Sequence, residues 1–406
     1  MSRRWVVVGL IFLGILISYI DRGNLGIAAT SIMRDFDVAP AVMGMLLSAF
    51  FWTYGGFQIP AGALVDRLGI RRMYAAGFLL WSLASASIAL SRGPGDVLAL
   101  RLLLGLAEAI GPIASLSFIR RNFAGPEQGL PTAIYIAGQN VGPATGTLLG
   151  SILVAGMGWR AMFAITGLGA LVWLPFWWWL APRDGPGQTS SAAAPAKTVD
   201  WRAALASPVV WLMAASIFLS SYYWYFLLTW VPAYLTMSRG FSTLEMGRVL
   251  SGPLFAMAAL NIAAGALADR LIPKGGSVFR VRVRFAVTGY IGAGAILLLL
   301  ALPGREVVLP VLVLSVCSVG VGNANYWAIS QHAPPASMVG RAIGFLNTIS
   351  QAAGAAAPLI TGWILGPEKQ FGVALAIAGV CPVLAAACLL AAGPGGLERL
   401  KQRLAG

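Results

Sequence analysis

Apolar runs of 19 to 30 residues recur along the whole chain, and short turns between them hold most of its charge. A helix rises 1.5 Å per residue, so about 20 such residues cross the ~30 Å hydrocarbon core of a bilayer. Twelve runs meet this length, near 5–31, 41–65, 73–91, 96–119, 129–155, 159–181, 207–236, 243–268, 284–302, 307–332, 339–365 and 371–393. The pattern predicts an all-α membrane protein with twelve transmembrane helices. One Pro/Ala/Ser-rich stretch, APRDGPGQTSSAAAPAKTVDWRAALAS, interrupts the series. It divides the chain into a six-helix half at 1–181, a linker at 182–206 and a second six-helix half at 207–406.

Charge adds orientation. Of the 28 Lys and Arg residues, nineteen fall in turns on the side of both termini, seven on the opposite side and two inside spans. By the positive-inside rule both termini and the linker are expected to be cytoplasmic. The opening MSRRWVVVGLIFLGILISYI has the composition of a signal peptide. Its apolar run continues through Asp21 and Arg22, so an uncleaved first helix is expected.

Composition agrees with the pattern. The 406 residues are 58% hydrophobic and 10% charged, whereas soluble domains carry about 25% charged residues. The net charge of +14 sits in the turns and points to a lipid bilayer partner, not to nucleic acid. Cys317, Cys381 and Cys388 lie in apolar runs and imply no disulfide framework. The single His332 rules out a histidine-rich metal site and is read as a loop residue. A membrane enzyme or receptor finds little support, since no metal-ligand cluster, Ser/His/Asp set or phosphate loop is present.

Only four ionisable residues fall deep in spans: Asp21, Arg22, Arg101 and Glu108. A charge at mid-membrane costs about 3 kcal/mol on insertion scales, so these groups are expected to face one another or a wet cavity. Arg101 and Glu108 are about two turns, or roughly 10 Å, apart on one helical face. Asp21 and Arg22 point about 100° apart, so one can look toward the fourth span while the other lines a cavity. Asp21 and Glu108 are expected to compensate Arg22 and Arg101 when no substrate is bound. The second half is expected to hold no buried charge.

Residues 62–68 read GALVDRL and 265–271 read GALADRL, at the cytoplasmic end of the second span of each half. Parallel duplication of a six-span unit is a transporter pattern, with substrate held between repeats at the midplane. The full stretch GALVDRLGIRR resembles the signature loop of the major facilitator superfamily, with Gly62, Asp66, Arg67, Gly69 and Arg71 in place. It is read as a gate latch, a glycine allowing close helix approach and Asp66 pairing with a basic residue or helix end in one conformation. The second copy degrades after Arg270, which puts a matching latch in doubt.

Further stretches resemble the anion:cation symporter branch, which holds galactonate, glucarate and hexuronate transporters and sialin-type carriers. These are YIDRGNL (19–25), SAFFWTYGGFQIPAGALVDRLG (48–69), RLLLGLAEA (101–109), GQNVGPATG (138–146) and YFLLTWVPAYL (225–235). The resemblance implies the major facilitator fold, proton coupling at Asp21 and Glu108, and substrate binding at Arg22, Arg101, Tyr54 and Gln139. Tyr54 with Gln58, and Tyr135 with Gln139, share helical faces, and helix–helix hydrogen bonding is the alternative role for them. In the second half, Trp327 and Asn347 are the substrate candidates. Gly138, Gly142 and Gly146 read as helix packing, and WLPFWWWL (173–180) as an interfacial belt.

The leading expectation is secondary active symport of a proton with a small organic anion, such as a sugar acid, in a monomer of the plasma or inner membrane. No cofactor is implied beyond the proton gradient. A proton/drug antiporter of the same fold is the alternative, and two buried arginines argue against a cationic drug.

Overall fold

The computed structural model describes residues 3–124, 127–183, 204–273, 276–335, 338–366 and 370–405. Most of the predicted linker, 184–203, lies outside them. The described residues form helices and no strands. The helices are α1 (Arg3–Asp35), α2 (Pro40–Leu68), α3 (Ile70–Ser87), α4 (Pro94–Glu108), α5 (Ile110–Asn122), α6 (Gly129–Ala170) and α7 (Trp173–Leu180). They continue as α8 (Pro208–Thr229), α9 (Val231–Met237), α10 (Thr243–Leu271), α11 (Val278–Leu297), α12 (Val308–His332), α13 (Val339–Leu365) and α14 (Gly372–Ala405).

Among the described residues, eleven helical stretches are long and apolar enough to cross a membrane, where the hydrophobic pattern predicts twelve. The difference lies in Gly129–Leu180, a single stretch of 52 residues. Fully helical it would span about 78 Å, more than twice a hydrocarbon core. It breaks at Gly158, whose φ of 83° and ψ of 166° are not helical. Two predicted continuous spans are also interrupted. The fourth is divided at Ala109, directly after Glu108, and the seventh at Trp230. Pro232 follows that second break in the first turn of α9, where a missing N–H costs a helix least.

The chain forms two compact units. Unit one comprises 1–191, 228–251 and 358–369, and unit two comprises 192–227, 252–357 and 370–406. In unit one the glycine stripe of α6 rides on α1. A Cβ at Gly138 would lie 2.8 Å from the Phe12 carbonyl oxygen, one at Gly142 2.5 Å from the Tyr19 Cβ, and one at Gly146 2.9 Å from the Ile20 Cα. Only hydrogen at these positions lets the two backbones touch, and that contact fixes the rotation of α1 around Asp21 and Arg22. Gly105 of α4 likewise abuts Phe50 and Tyr54 of α2.

The tryptophan cluster corrects the expectation of an interfacial belt for half of its members. Trp173 and Trp177 are buried and donate their indole N–H groups to the carbonyls of Leu10 (2.8 Å) and Arg71 (3.0 Å). Trp173 also stacks on Phe78 at 4.2 Å. Trp178 and Trp179 remain exposed. One face of α7 is therefore core, its polar atoms met by backbone.

Unit two corrects two further expectations. Arg282 is buried on α11, so the second half does hold an interior charge. It pairs with Asp269, the acid of the second GALADRL copy, and donates to Asn325 at 3.4 Å. The motif is degraded in sequence, yet its aspartate still finds an arginine. The sequence placed Arg282 in a turn because the span was started at 284, whereas α11 begins at Val278. Other polar groups of unit two bond helix to helix: Tyr223 with Ser315 (2.6 Å), Ser221 with Ser350 (2.7 Å) and Tyr225 with Gln351 (3.1 Å).

Candidate functional site

Two faces of one helix turn carry the chemistry. Ser18 and Arg22, four residues apart on α1, point the same way. Both donate to Oε2 of Glu108, Ser18 at 2.7 Å and the Arg22 Nε at 2.8 Å. Glu108 is fully buried and the Arg22 side chain is 10% exposed. Three aromatic rings stack around the Arg22 guanidinium, Tyr54 at 4.4 Å, Tyr19 at 4.5 Å and Phe50 at 5.0 Å. Such contacts help hold a cation in a desolvated place. Asp21 looks elsewhere, accepting from Ser85 of α3 at 3.2 Å and from Asn24 at 3.3 Å.

Arg101 departs from the expected compensation. It is 2% exposed, and no carboxylate lies within 4.0 Å of it among the described residues. Its Nε and one terminal nitrogen are buried without a partner, and its guanidinium faces the Phe50 ring at 5.2 Å. One terminal nitrogen of Arg22 and Oε1 of Glu108 are also buried and unpartnered. Asp21 does not reach either arginine as a salt bridge because α1 turns it toward α3. The result is a neutral Arg22–Glu108 pair beside a guanidinium with donors to spare. A buried unmet donor of this kind costs about 1–3 kcal/mol, more when charged.

The other predicted residues divide. Tyr54 is buried against Phe50, ring centroids 5.1 Å apart, and joins the Arg22 cluster. Gln139 donates to the Tyr135 hydroxyl at 2.9 Å within α6. Trp327 and Asn347 belong to unit two, half-buried on α12 and α13, and neither side chain makes a hydrogen bond among the described residues. His332 ends α12, exposed, with Nδ1 2.8 Å from the Ala328 carbonyl oxygen.

In the signature loop, Asp66 accepts from Arg121 of α5 at 3.2 Å. Gly69 has φ of 91° between α2 and α3, a conformation that favours glycine. Arg71 bonds the Trp178 carbonyl and lies 4.4 Å over that ring. Arg67 is exposed. Gly62 does not serve close approach, since a Cβ there would meet nothing within 4 Å.

Residues that the sequence reading missed are Ser18, Asn24, Phe50, Ser85 and Thr166. Only Ser18 had a signal, its spacing of four from Arg22.

Comparison with known proteins gives the family. The Major Facilitator Superfamily model matches residues 11–358. The chain is 27% identical to the probable galactarate/D-glucarate transporter GarP of Escherichia coli K12, over 95% of this chain and 94% of that one. It is 26% identical to a D-galactonate transporter of E. coli O6:H1, over 94% and 93%. A sodium-dependent phosphate transport protein of Arabidopsis thaliana chloroplasts is 29% identical over 71% of this chain. The chain spans 60% of that plastid relative's length. Among solved structures, an inward-facing bacterial homologue of the lysosomal transporter Spinster superposes with a TM-score of 0.78 at 18% identity, covering 100% and 98% of the two chains. A D-xylose-proton symporter superposes with a TM-score of 0.77 at 14% identity, covering 96% and 97%. These structures share the fold. The chain is a multi-pass membrane protein and belongs to the Major Facilitator Superfamily, a family of transporters and not of enzymes.

Proposed function

We propose that this protein carries a small organic anion, a sugar acid or another carboxylate, into the cell together with protons, by alternating access. The observation that carries the reading is Arg101, a buried guanidinium that no carboxylate of the described residues meets within 4.0 Å. A carboxylate ligand would fit its planar fork with two parallel hydrogen bonds. Arg22 is the second substrate cation, held in reserve by Glu108. Protonating Glu108 removes the charge that binds Arg22 and frees its fork for the same anion. Loss of the proton would return Arg22 to Glu108 and weaken the hold on the substrate. Asp21 is the second coupling carboxylate. Tyr54, next to Arg22, and Gln139 supply contacts to substrate hydroxyls, with Trp327 and Asn347 from the second half.

In this reading Gly129–Leu180 crosses twice, on either side of Gly158, giving twelve spans with both termini in the cytoplasm. The Asp66–Arg121 pair acts as a latch of the cytoplasmic face that breaks and reforms in the cycle. It is exposed, so its intrinsic worth is at most about 1 kcal/mol, suitable for a contact that must open. A cationic drug is a poor substrate for a site whose spare group is a guanidinium. A single chain in the plasma or bacterial inner membrane is sufficient for this mechanism.

The test is a thermal-shift screen of purified protein against sugar acids, hydroxy acids and aromatic acids, followed by uptake of each hit into reconstituted vesicles. Hits should lose their stabilising effect in Arg22→Ala and Arg101→Ala. Export of organic cations with no anion uptake would replace this reading with drug antiport.

A further inference from the structure

Behind Arg22, the wedge between α1, α3 and α6 holds a carboxyl group that no basic side chain pairs with among the described residues. Asp21 is 1% exposed, and no Lys or Arg nitrogen lies within 4.0 Å of it among the described residues. Its Oδ1 accepts from Ser85 and Asn24, while Oδ2 is shut off from solvent with no partner. Asn24 Oδ1 and the Ser82 hydroxyl are buried and unpartnered as well. Ser82 sits one turn before Ser85 on α3, and the Thr166 hydroxyl of α6 is 3.1 Å from the Asn24 amide nitrogen.

Asp21, Ser85, Asn24 and Thr166 thus form one chain of hydrogen bonds, with Ser82 a turn from Ser85, and among the described residues no Lys or Arg nitrogen pairs with the carboxylate. Burying a carboxylate without a counter-charge costs several kcal/mol, so an occupant that brings positive charge is favoured. All-oxygen surroundings select hard cations over soft ones. A calcium or magnesium ion with a single carboxylate would leave an excess positive charge in a dry place, whereas a monovalent ion cancels it. The Asn24 amide nitrogen now lies 3.3 Å from Asp21 Oδ1 and 3.1 Å from Thr166 Oγ1. A half-turn of that amide would bring its oxygen to the same neighbours, making room for an ion in their midst.

We propose that Asp21, Asn24, Ser82, Ser85 and Thr166 form a sodium site. The inference rests on the reading of Asp21 as a coupling residue and names a second ion for it. Sodium and the proton are alternative occupants of Asp21, and Glu108, which bonds Ser18 and Arg22, supplies no oxygen to this site.

The experiment measures the melting temperature of the purified full-length protein in NaCl, KCl and choline chloride at fixed pH and ionic strength. NaCl should raise it in a saturable way by about 3 °C relative to choline chloride, with a smaller effect of KCl. Asp21→Asn should abolish the rise and Glu108→Gln should keep it. Equal melting in NaCl and choline chloride overturns the proposal, as does a full sodium response in Asp21→Asn. If Asp21→Asn gives no folded protein, Ser85→Ala and Thr166→Val decide: each should raise the half-saturating sodium concentration at least about fivefold, a loss of ~1 kcal/mol, and unchanged midpoints overturn the site. Anion uptake driven by a proton gradient, with no sodium response, would remove the sodium site and leave the transport reading intact. A sodium response without uptake of any organic anion would do the reverse.

Discussion

Arg101→Met separates binding from folding more sharply than any other single change. In the structure this guanidinium is 2% exposed, with two nitrogens unpartnered. An apolar residue of similar length removes an uncompensated charge while leaving little void. Replacing buried ionic groups by apolar ones of matched volume is often neutral or stabilising, by about 1–4 kcal/mol. At roughly 1 °C per kcal/mol for a chain of this size, the ligand-free melting temperature should hold steady or rise by a few degrees. Binding should move the opposite way. Each charge-assisted hydrogen bond contributes about 1.5–3 kcal/mol, so losing a bidentate pair should weaken anion affinity by two to four orders of magnitude. The assay is a thermal melt of wild type and variant without ligand, followed by titration with the best carboxylate from the screen. A variant that melts well below wild type would show that Arg101 is a structural group with partners of its own. Unchanged affinity would remove it from the binding site.

Three other changes probe the surroundings. Arg22→Lys keeps the charge but loses the planar fork and much of the stacking with Tyr19, Phe50 and Tyr54, so anion affinity should fall about 10- to 100-fold in the same titration. Gly142→Val drives a side chain into the Tyr19 Cβ; overpacking of about 1–3 kcal/mol should lower the melting temperature and displace Arg22, stopping uptake. Asp269→Ala strands Arg282 in the interior of unit two and should destabilise by about 1 kcal/mol, discounted because the aspartate is exposed. Adding Arg282→Leu should restore the loss, and a double variant no better than the single would mean that the two do not act as a pair.

What the sequence made legible follows from contrast. A charge in an apolar run stands out, so Asp21, Arg22, Arg101 and Glu108 could be named before any coordinates. Which acid meets which arginine could not, because that depends on the rotation of α1, set by its contact with the glycine stripe of α6. Arg282 was hidden by its company: FRVRVRF, residues 279–285, has the density of basic residues expected of a cytoplasmic turn. Ser82, Ser85 and Thr166 gave no signal, since small polar side chains can bond their own helix backbone and are common in membrane spans. Trp173 and Trp177 share a composition with a belt, and only the packing of α7 divides them from Trp178 and Trp179. The break at Gly158 falls in the gap between the predicted spans 129–155 and 159–181, whereas the one after Glu108 escaped the hydrophobic pattern because it does not interrupt the apolar character of its run.

The central claim is that Glu108 exchanges Arg22 for a proton as the anion binds. Its most direct measurement is uptake of a labelled carboxylate into vesicles carrying wild-type protein or Glu108→Gln, with and without an inward proton gradient. The uncharged glutamine still offers an oxygen to Ser18 and Arg22 but takes up no proton. The variant should therefore exchange labelled for unlabelled anion across the membrane, yet fail to concentrate it when the gradient is applied. Accumulation by Glu108→Gln to the wild-type level under the same gradient would contradict the account.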